Sequence, residues 1–179
     1  MSQACRVGLA FDRHRCIYTY MTKATADPTS LSDASAGCVC FHLRRSARTV
    51  TQFYDRMLTP SGLRATQYTL MTVVRRTGGL SFSNLAEVLG MDRTTLTRNL
   101  RPLEREGLVK IESGSDRRVR LVSLTRLGRR KQAEAQPLWA KAHARVTGGI
   151  GENTWRALKK QLSRTIAVSL EATAEQNQI

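Results

Sequence analysis

Apolar residues recur every three or four positions along most of this chain, and the exception lies near its middle. Val39, Leu43, Ala47, Val50, Phe53 or Tyr54, and Met57 mark one face of a helix over residues 38–58. Arg44, Arg45, Arg48 and Gln52 mark another. Thr59, Pro60, Ser61 and Gly62 break that helix. A second helix over 65–76 turns Tyr68, Leu70, Met71 and Val74 inward and ends at Gly78 and Gly79. Ser81 is an N-cap for a short helix carrying Leu85, Ala86, Val88 and Leu89, and Gly90 ends it in a tight turn. Asp92 caps the next helix, whose Leu96, Leu100 and Leu103 form its buried stripe. Pro102 lies inside this helix, past its first two turns, where it removes one hydrogen bond and bends the axis.

After Gly107 the period changes to two. Leu108 to Glu112 reads as one strand and Val119 to Leu124 as another, with the small and charged SGSDRR between them as a hairpin tip. Helical spacing then returns. A long helix from Thr125 or Arg126 to about Thr147 carries Leu127, Ala133, Leu138, Trp139, Ala142 and Val146, with a kink expected at Pro137. Gly148, Gly149 and Gly151 predict a break, and a last helix follows from Asn153 to about Ala172 with Trp155, Leu158, Leu162, Ile166 and Leu170 on one stripe.

Two helices joined by a short Gly-containing turn form a helix-turn-helix, and a basic hairpin directly after it makes a winged one. The expected fold is therefore mainly α with a small β-hairpin wing: a winged helix-turn-helix DNA-binding domain over 61–125, flanked by dimerisation helices at 38–60 and 126–172. Residues 1–37, rich in Thr, Ser, Ala and Asp from Thr22 onward, are expected to be a flexible N-terminal extension. Met21 just precedes that stretch and is an alternative translation start, which N-terminal sequencing decides. The flanking stripes would be exposed on a single chain, so a closed twofold homodimer is expected to cover them. Two recognition helices would then face an inverted-repeat operator with half-sites about one DNA turn apart.

Charge sharpens the reading. The net charge is +15, and residues 91–131 alone hold twelve Lys/Arg against five Asp/Glu, an excess of seven in the segment expected to meet a polyanion. That partner is expected to be double-stranded DNA. No run approaches the roughly 18 apolar residues of a membrane span, and no charged–apolar–small leader pattern opens the chain, so a cytoplasmic protein with reduced cysteines is expected. Catalytic patterns are missing: there is no Gly-rich phosphate loop, no paired-carboxylate site and no nucleophile elbow. Cys40 and His42, two residues apart on a helix, diverge too far for a nucleophile–base pair. No enzyme activity and no cofactor are expected.

The first turns of the second helix gather Arg93, Thr94, Thr95, Thr97, Arg98 and Asn99, whose hydroxyls, amide and guanidiniums suit base edges and phosphates. With Ser81 and Ser83 of the preceding helix, and Arg117 and Arg118 at the hairpin tip, they are the candidate DNA-binding residues. Asp116 would orient a neighbouring guanidinium. A sequence-neutral nucleic-acid coating protein is the remote alternative.

TTLTRNLRPLEREGLV, then DRRVRLVSLT, then the Gly-containing helix start at 126–129, resembles the MarR family of winged-helix transcriptional regulators. The resemblance spans roughly 38–170 and is most specific over 92–128. It implies an obligate homodimer, a repressor whose DNA binding is tuned by a small ligand or by thiol oxidation. Small aromatic or phenolic carboxylates are the implied effectors, with His42, Arg44, Arg48 and Tyr68 as the polar residues near them. CFHLRRSARTVTQFY also resembles the opening helix of the organic-hydroperoxide sensors of that family. There Cys40 falls on the reactive position and Tyr54 on a supporting tyrosine, while Arg44 and Ala65 replace two other tyrosines. A peroxide-sensing repressor using Cys40 is thus the alternative to ligand release, which is the favoured reading. Zinc is not expected, because Cys38-x-Cys40-x-His42 lacks the usual two-to-four-residue gap.

Overall fold

The computed structural model describes residues 37–114 and 119–176, and the chain divides into two units, 1–46 and 47–179. The expected extension over 1–37 falls almost wholly outside the described residues. So do the hairpin-tip residues Asp116, Arg117 and Arg118. Within the first unit the described part is Gly37, Cys38 and the opening of helix α1 (Val39–Leu58), exposed except for half-buried Phe41.

The second unit carries the rest of α1, a 3-10 turn at Thr59–Ser61, and α2 (Ala65–Thr77). Pro60 sits in that turn, and Gly62 follows it in the left-handed conformation. Asp55 of α1 reaches across and accepts the first amide of α2, Ala65 N–H, at 2.7 Å. An acidic side chain at a helix start is favoured by the unpaired amides there. The inward residues expected for α2 are buried: Tyr68, Leu70, Met71 and Val74.

Next come β1 (Leu80–Ser81), α3 (Phe82–Leu89), α4 (Arg93–Arg105), β2 (Val109–Ser113), β3 (Arg120–Leu124), α5 (Arg126–Ile150) and α6 (Glu152–Gln176). The three strands form one antiparallel sheet in the order β1-β3-β2. Val109 faces Leu124 and Ile111 faces Val122, which sets the apolar side of the hairpin against the core. Strand β1 was not expected from the sequence. It is two residues long, Leu80 opposite Val122 and Ser81 opposite Leu121, and it exists because β3 offers its second edge.

The core lies under the helix-turn-helix: Leu58, Leu63, Leu85, Leu96, Leu100 and Leu103 are all at most 2% exposed. Two expectations need correction. Val88 is 63% exposed, while Phe82 is buried in its place. The helical phase of α3 runs Phe82, Leu85, Ala86, Leu89, which leaves Val88 on the outer side. The glycine break also comes later than expected, because α5 runs through Gly148 and Gly149 to Ile150 and ends only at Gly151. Neither glycine has an atom within 4 Å of its would-be side chain, so the helix continues through an uncrowded last turn. α5 is also continuous across Pro137.

Thr125 ties the hairpin to α5. Its hydroxyl accepts the amide of Gly128 at 3.0 Å as an N-cap and donates to the Gly107 carbonyl at 2.6 Å. Its own amide bonds the Leu108 carbonyl at 3.1 Å. α6 has no buried residue, and Ile166, Val168 and Leu170 are 62%, 56% and 66% exposed. No described helix is long and apolar enough to cross a membrane.

Candidate nucleic-acid interface

The turn between α3 and α4 is built as the sequence implies. Ser81 Oγ accepts Asn84 N–H at 3.2 Å, and Gly90 takes φ 60° ψ 37°, where a side chain would clash with the backbone. Asp92 then caps α4: Oδ1 accepts Thr95 N–H at 2.8 Å and Oδ2 accepts the Thr95 hydroxyl at 2.7 Å. The Thr95 side chain is the chief cause, and its amide the second, of an Asp92 pKa below the ordinary value of 3.8. The sign follows. A carboxylate with a lowered folded pKa adds stability above its unfolded pKa and loses it as pH falls through the lower folded one. Asp92→Ala is therefore expected to melt below wild type at neutral pH, and the two melting curves should converge in strong acid. A gap that persists unchanged in acid would rule the carboxylate out as its source.

The exposed face of α4 shows which candidates point outward. Arg93, Thr94 and Arg98 are exposed, as is Arg101, which the sequence reading did not single out. Thr95, Thr97 and Asn99 are half-buried and partly engaged at home. Thr97 Oγ1 donates to the Arg93 carbonyl at 2.7 Å, and Asn99 Nδ2 donates to the Thr95 carbonyl at 2.9 Å. Their oxygens remain acceptors, so they can still meet a base amine. Ser83 is exposed on α3, whereas Ser81 is half-buried, and its hydroxyl serves the cap.

Phe82 is the residue the sequence reading missed. The Arg93 guanidinium lies 5.6 Å from its ring centroid and the Arg120 guanidinium 5.8 Å. Arg93 opens α4 and Arg120 opens β3, so one aromatic ring is shared by the start of the recognition helix and the base of the wing. Such contacts contribute about 0.5–1 kcal/mol each at exposed sites. The signal was available in the spacing Phe82, Leu85, Leu89 beside the Ser81 cap. None of Arg93, Arg98, Arg101 and Arg120 forms an ion pair with a described residue; the pairs found are Lys110–Glu112 and Arg130–Glu134, both exposed.

The sensing candidates separate by location. Cys40, His42 and Arg44 lie in the first unit on exposed positions of α1, and Cys38 and Cys40 are both free thiols. Arg48 is exposed. Tyr54 and Tyr68 join an aromatic stack. Trp139 of α5 lies against the Tyr68 ring at 5.8 Å and the His143 ring at 4.8 Å, and Trp155 of α6 meets His143 edge-on at 5.9 Å. Tyr54 Oη lies 3.2 Å from His143 Nδ1, and burial raises the pKa of the phenol above its ordinary value. Among the described residues no group of His, Cys, Asp and Glu is placed to hold a metal.

With this geometry in view, comparison with known proteins is specific. A family model described as the MarR family matches residues 61–119. The structure is similar to that of the transcriptional regulator MosR of M. tuberculosis in complex with DNA. The two are 38% identical, the match covers 75% of this chain and 97% of that one, and the TM-score is 0.68. It is also similar to CouR of Rhodococcus jostii RHA1 bound to p-coumaroyl-CoA: 26% identical, 73% and 93% covered, TM-score 0.62. In sequence, an uncharacterised HTH-type transcriptional regulator of Bacillus subtilis, YwoH, is 29% identical over 92 residues, 51% of this chain and 67% of that protein.

Proposed function

Because the chain belongs to the MarR family of DNA-binding transcriptional regulators, we propose that it acts as a homodimeric repressor, released from an inverted-repeat operator by a small anionic effector. The observation that carries the DNA half of this reading is the shared ring contact of Arg93 and Arg120. It brings cations of the recognition helix and of the wing to one ring, with no described carboxylate paired to either. A major groove takes the first turns of α4, and a wing beside it meets phosphate or the narrower groove. The exposed apolar residues of α1 and α6, among them Val39, Val50, Ile166 and Leu170, support a second copy as the cover. CouR bound to p-coumaroyl-CoA supports an acidic aromatic effector.

A footprint over the protein's own promoter region, with and without aromatic acids and with and without peroxide, tests the whole reading. Protection of an inverted repeat that an acid abolishes is the expected result. Uniform coating of the fragment is the contrary one. The exposure of Cys40 favours thiol sensing as the second reading. In that case peroxide releases the operator, Cys40→Ser abolishes the response, and Cys38→Ser does not.

Side-chain roles separate by substitution. Arg98→Ala is expected to lower operator affinity by about 1–3 kcal/mol, as for a lost base contact, with random DNA little affected. Arg120→Ala should weaken both and reduce the slope of log affinity against log salt by about one. Titrations on operator and scrambled duplexes at several salt concentrations check this. Equal loss of discrimination from both variants contradicts the division of labour.

A further inference from the structure

Phe82 opens α3 on a backbone that is fixed from two sides. The residue before it, Ser81, pairs with Leu121 of β3 and caps α3 by accepting Asn84 N–H at 3.2 Å. The ring packs into the core and is 6% exposed. Two exposed arginines reach it from separate elements, Arg93 with its guanidinium 5.6 Å from the ring centroid and Arg120 with its own at 5.8 Å. Their backbones are fixed as well. Arg93 follows the Asp92 cap of α4, and Arg120 pairs with Ser113 across the hairpin. The freedom left to each lies in its side chain, and neither side chain has an ion pair with a described residue.

An unpaired surface arginine samples many rotamers, and ordering it on a bound partner costs free energy. Two like charges drawn to one place also repel, which favours spreading into solvent. An aromatic ring counters both effects. Its quadrupole attracts each cation through charge and leaves the guanidinium N–H donors for phosphate or base. Leucine would meet the core's demand for apolar bulk at this position, but only a ring attracts two guanidiniums. We infer that Phe82 is a positioning residue for DNA binding. Being buried, it acts by ordering Arg93 of the recognition helix and Arg120 of the wing before a duplex arrives. The inference rests on the DNA interface proposed above and adds a link between its two parts. The start of α4 and the base of the wing share one support, so loss of the ring weakens both contacts together.

Two measurements on the full-length protein test this. The first is side-chain NMR relaxation of the wild-type protein without DNA. The Nε–H order parameters of Arg93 and Arg120 are expected to exceed that of Arg101, which is equally on the exposed side of α4 and has no such ring contact. The second is DNA affinity. Phe82→Leu should weaken operator binding about five- to tenfold, the size expected from two surface cation–π contacts. Phe82→Tyr, which keeps the ring, should recover most of that loss. In a background carrying both Arg93→Ala and Arg120→Ala, the same Phe82→Leu change should cost less than twofold. Three results would overturn the inference. One is order in Arg93 and Arg120 no greater than in Arg101. Another is a Phe82→Leu protein that binds operator as wild type does. The third is an equal loss from Phe82→Leu with and without the two arginines, which would leave Phe82 a core residue and nothing more. The relaxation measurement needs neither variant nor DNA, so it decides the matter even if melting curves show Phe82→Leu to be unfolded. If the footprint reveals no operator, the affinities are read on random duplex with the same expectations, which keeps a failure of the repressor reading apart from a failure of this one.

Discussion

Gly128→Ala is expected to lower the melting temperature by about 10 °C, corresponding to a loss of roughly 3 kcal/mol or more. Gly128 is buried in the first turn of α5. A side-chain carbon there would overlap the carbonyl oxygen of Leu108 and stand 2.8 Å from its carbonyl carbon. Both offending atoms are backbone, so no rotamer relieves the overlap, and the wing or the helix must move. The same carbonyl accepts the Thr125 amide, so a shift also disturbs the joint between hairpin and helix. Gly148→Ala is the internal control. It lies late in α5 with open space around it, and alanine is the better helix former by about 1 kcal/mol. That variant should melt slightly higher. A Gly128→Ala protein melting within a degree or two of wild type would show that the close approach is not there.

The second large effect concerns assembly. On the proposed homodimeric reading, Ile166→Glu should yield monomers at micromolar concentration and reduce operator affinity a hundredfold or more, while helix content is retained. The position is 62% exposed on a single chain, so a glutamate there costs an isolated chain very little. In a twofold interface the substitution occurs twice, and each copy buries a charge with no partner. Sedimentation and circular dichroism separate the two outcomes. An Ile166→Glu protein that stays dimeric and keeps operator affinity would remove α6 from the interface.

What could be read from the chain itself follows a physical division. α3, α4 and the turn between them were legible because their ends are chemical: Ser81, Gly90 and Asp92 act on their own neighbours in sequence. The hairpin was legible for a similar reason, since a change of period from helical to two needs no distant partner. β1 was not, because two residues make a strand only when β3 supplies the other half of the ladder. Phe82 was overlooked for a related reason. Its importance comes from Arg93 and Arg120, the second lying 38 positions away in sequence. The aromatic stack of Tyr68, Trp139, His143 and Trp155 also depends on which faces of α2, α5 and α6 meet. Periodicity indicates that a face is apolar without saying what lies against it.

Arg93, Arg98, Arg101 and Arg120, which form no ion pair with a described residue, also determine how the free protein responds to salt. With few carboxylates among them, they repel one another, and the folded state holds them closer than an unfolded chain does. Dissolved anions relieve that strain, so the DNA-free protein should grow more stable as ionic strength rises. Bound DNA supplies the same relief with its own phosphates and adds stability in proportion to its affinity, and that affinity falls with salt. In thermal melts the two dependences oppose each other, and the free and DNA-bound proteins draw together as salt is added.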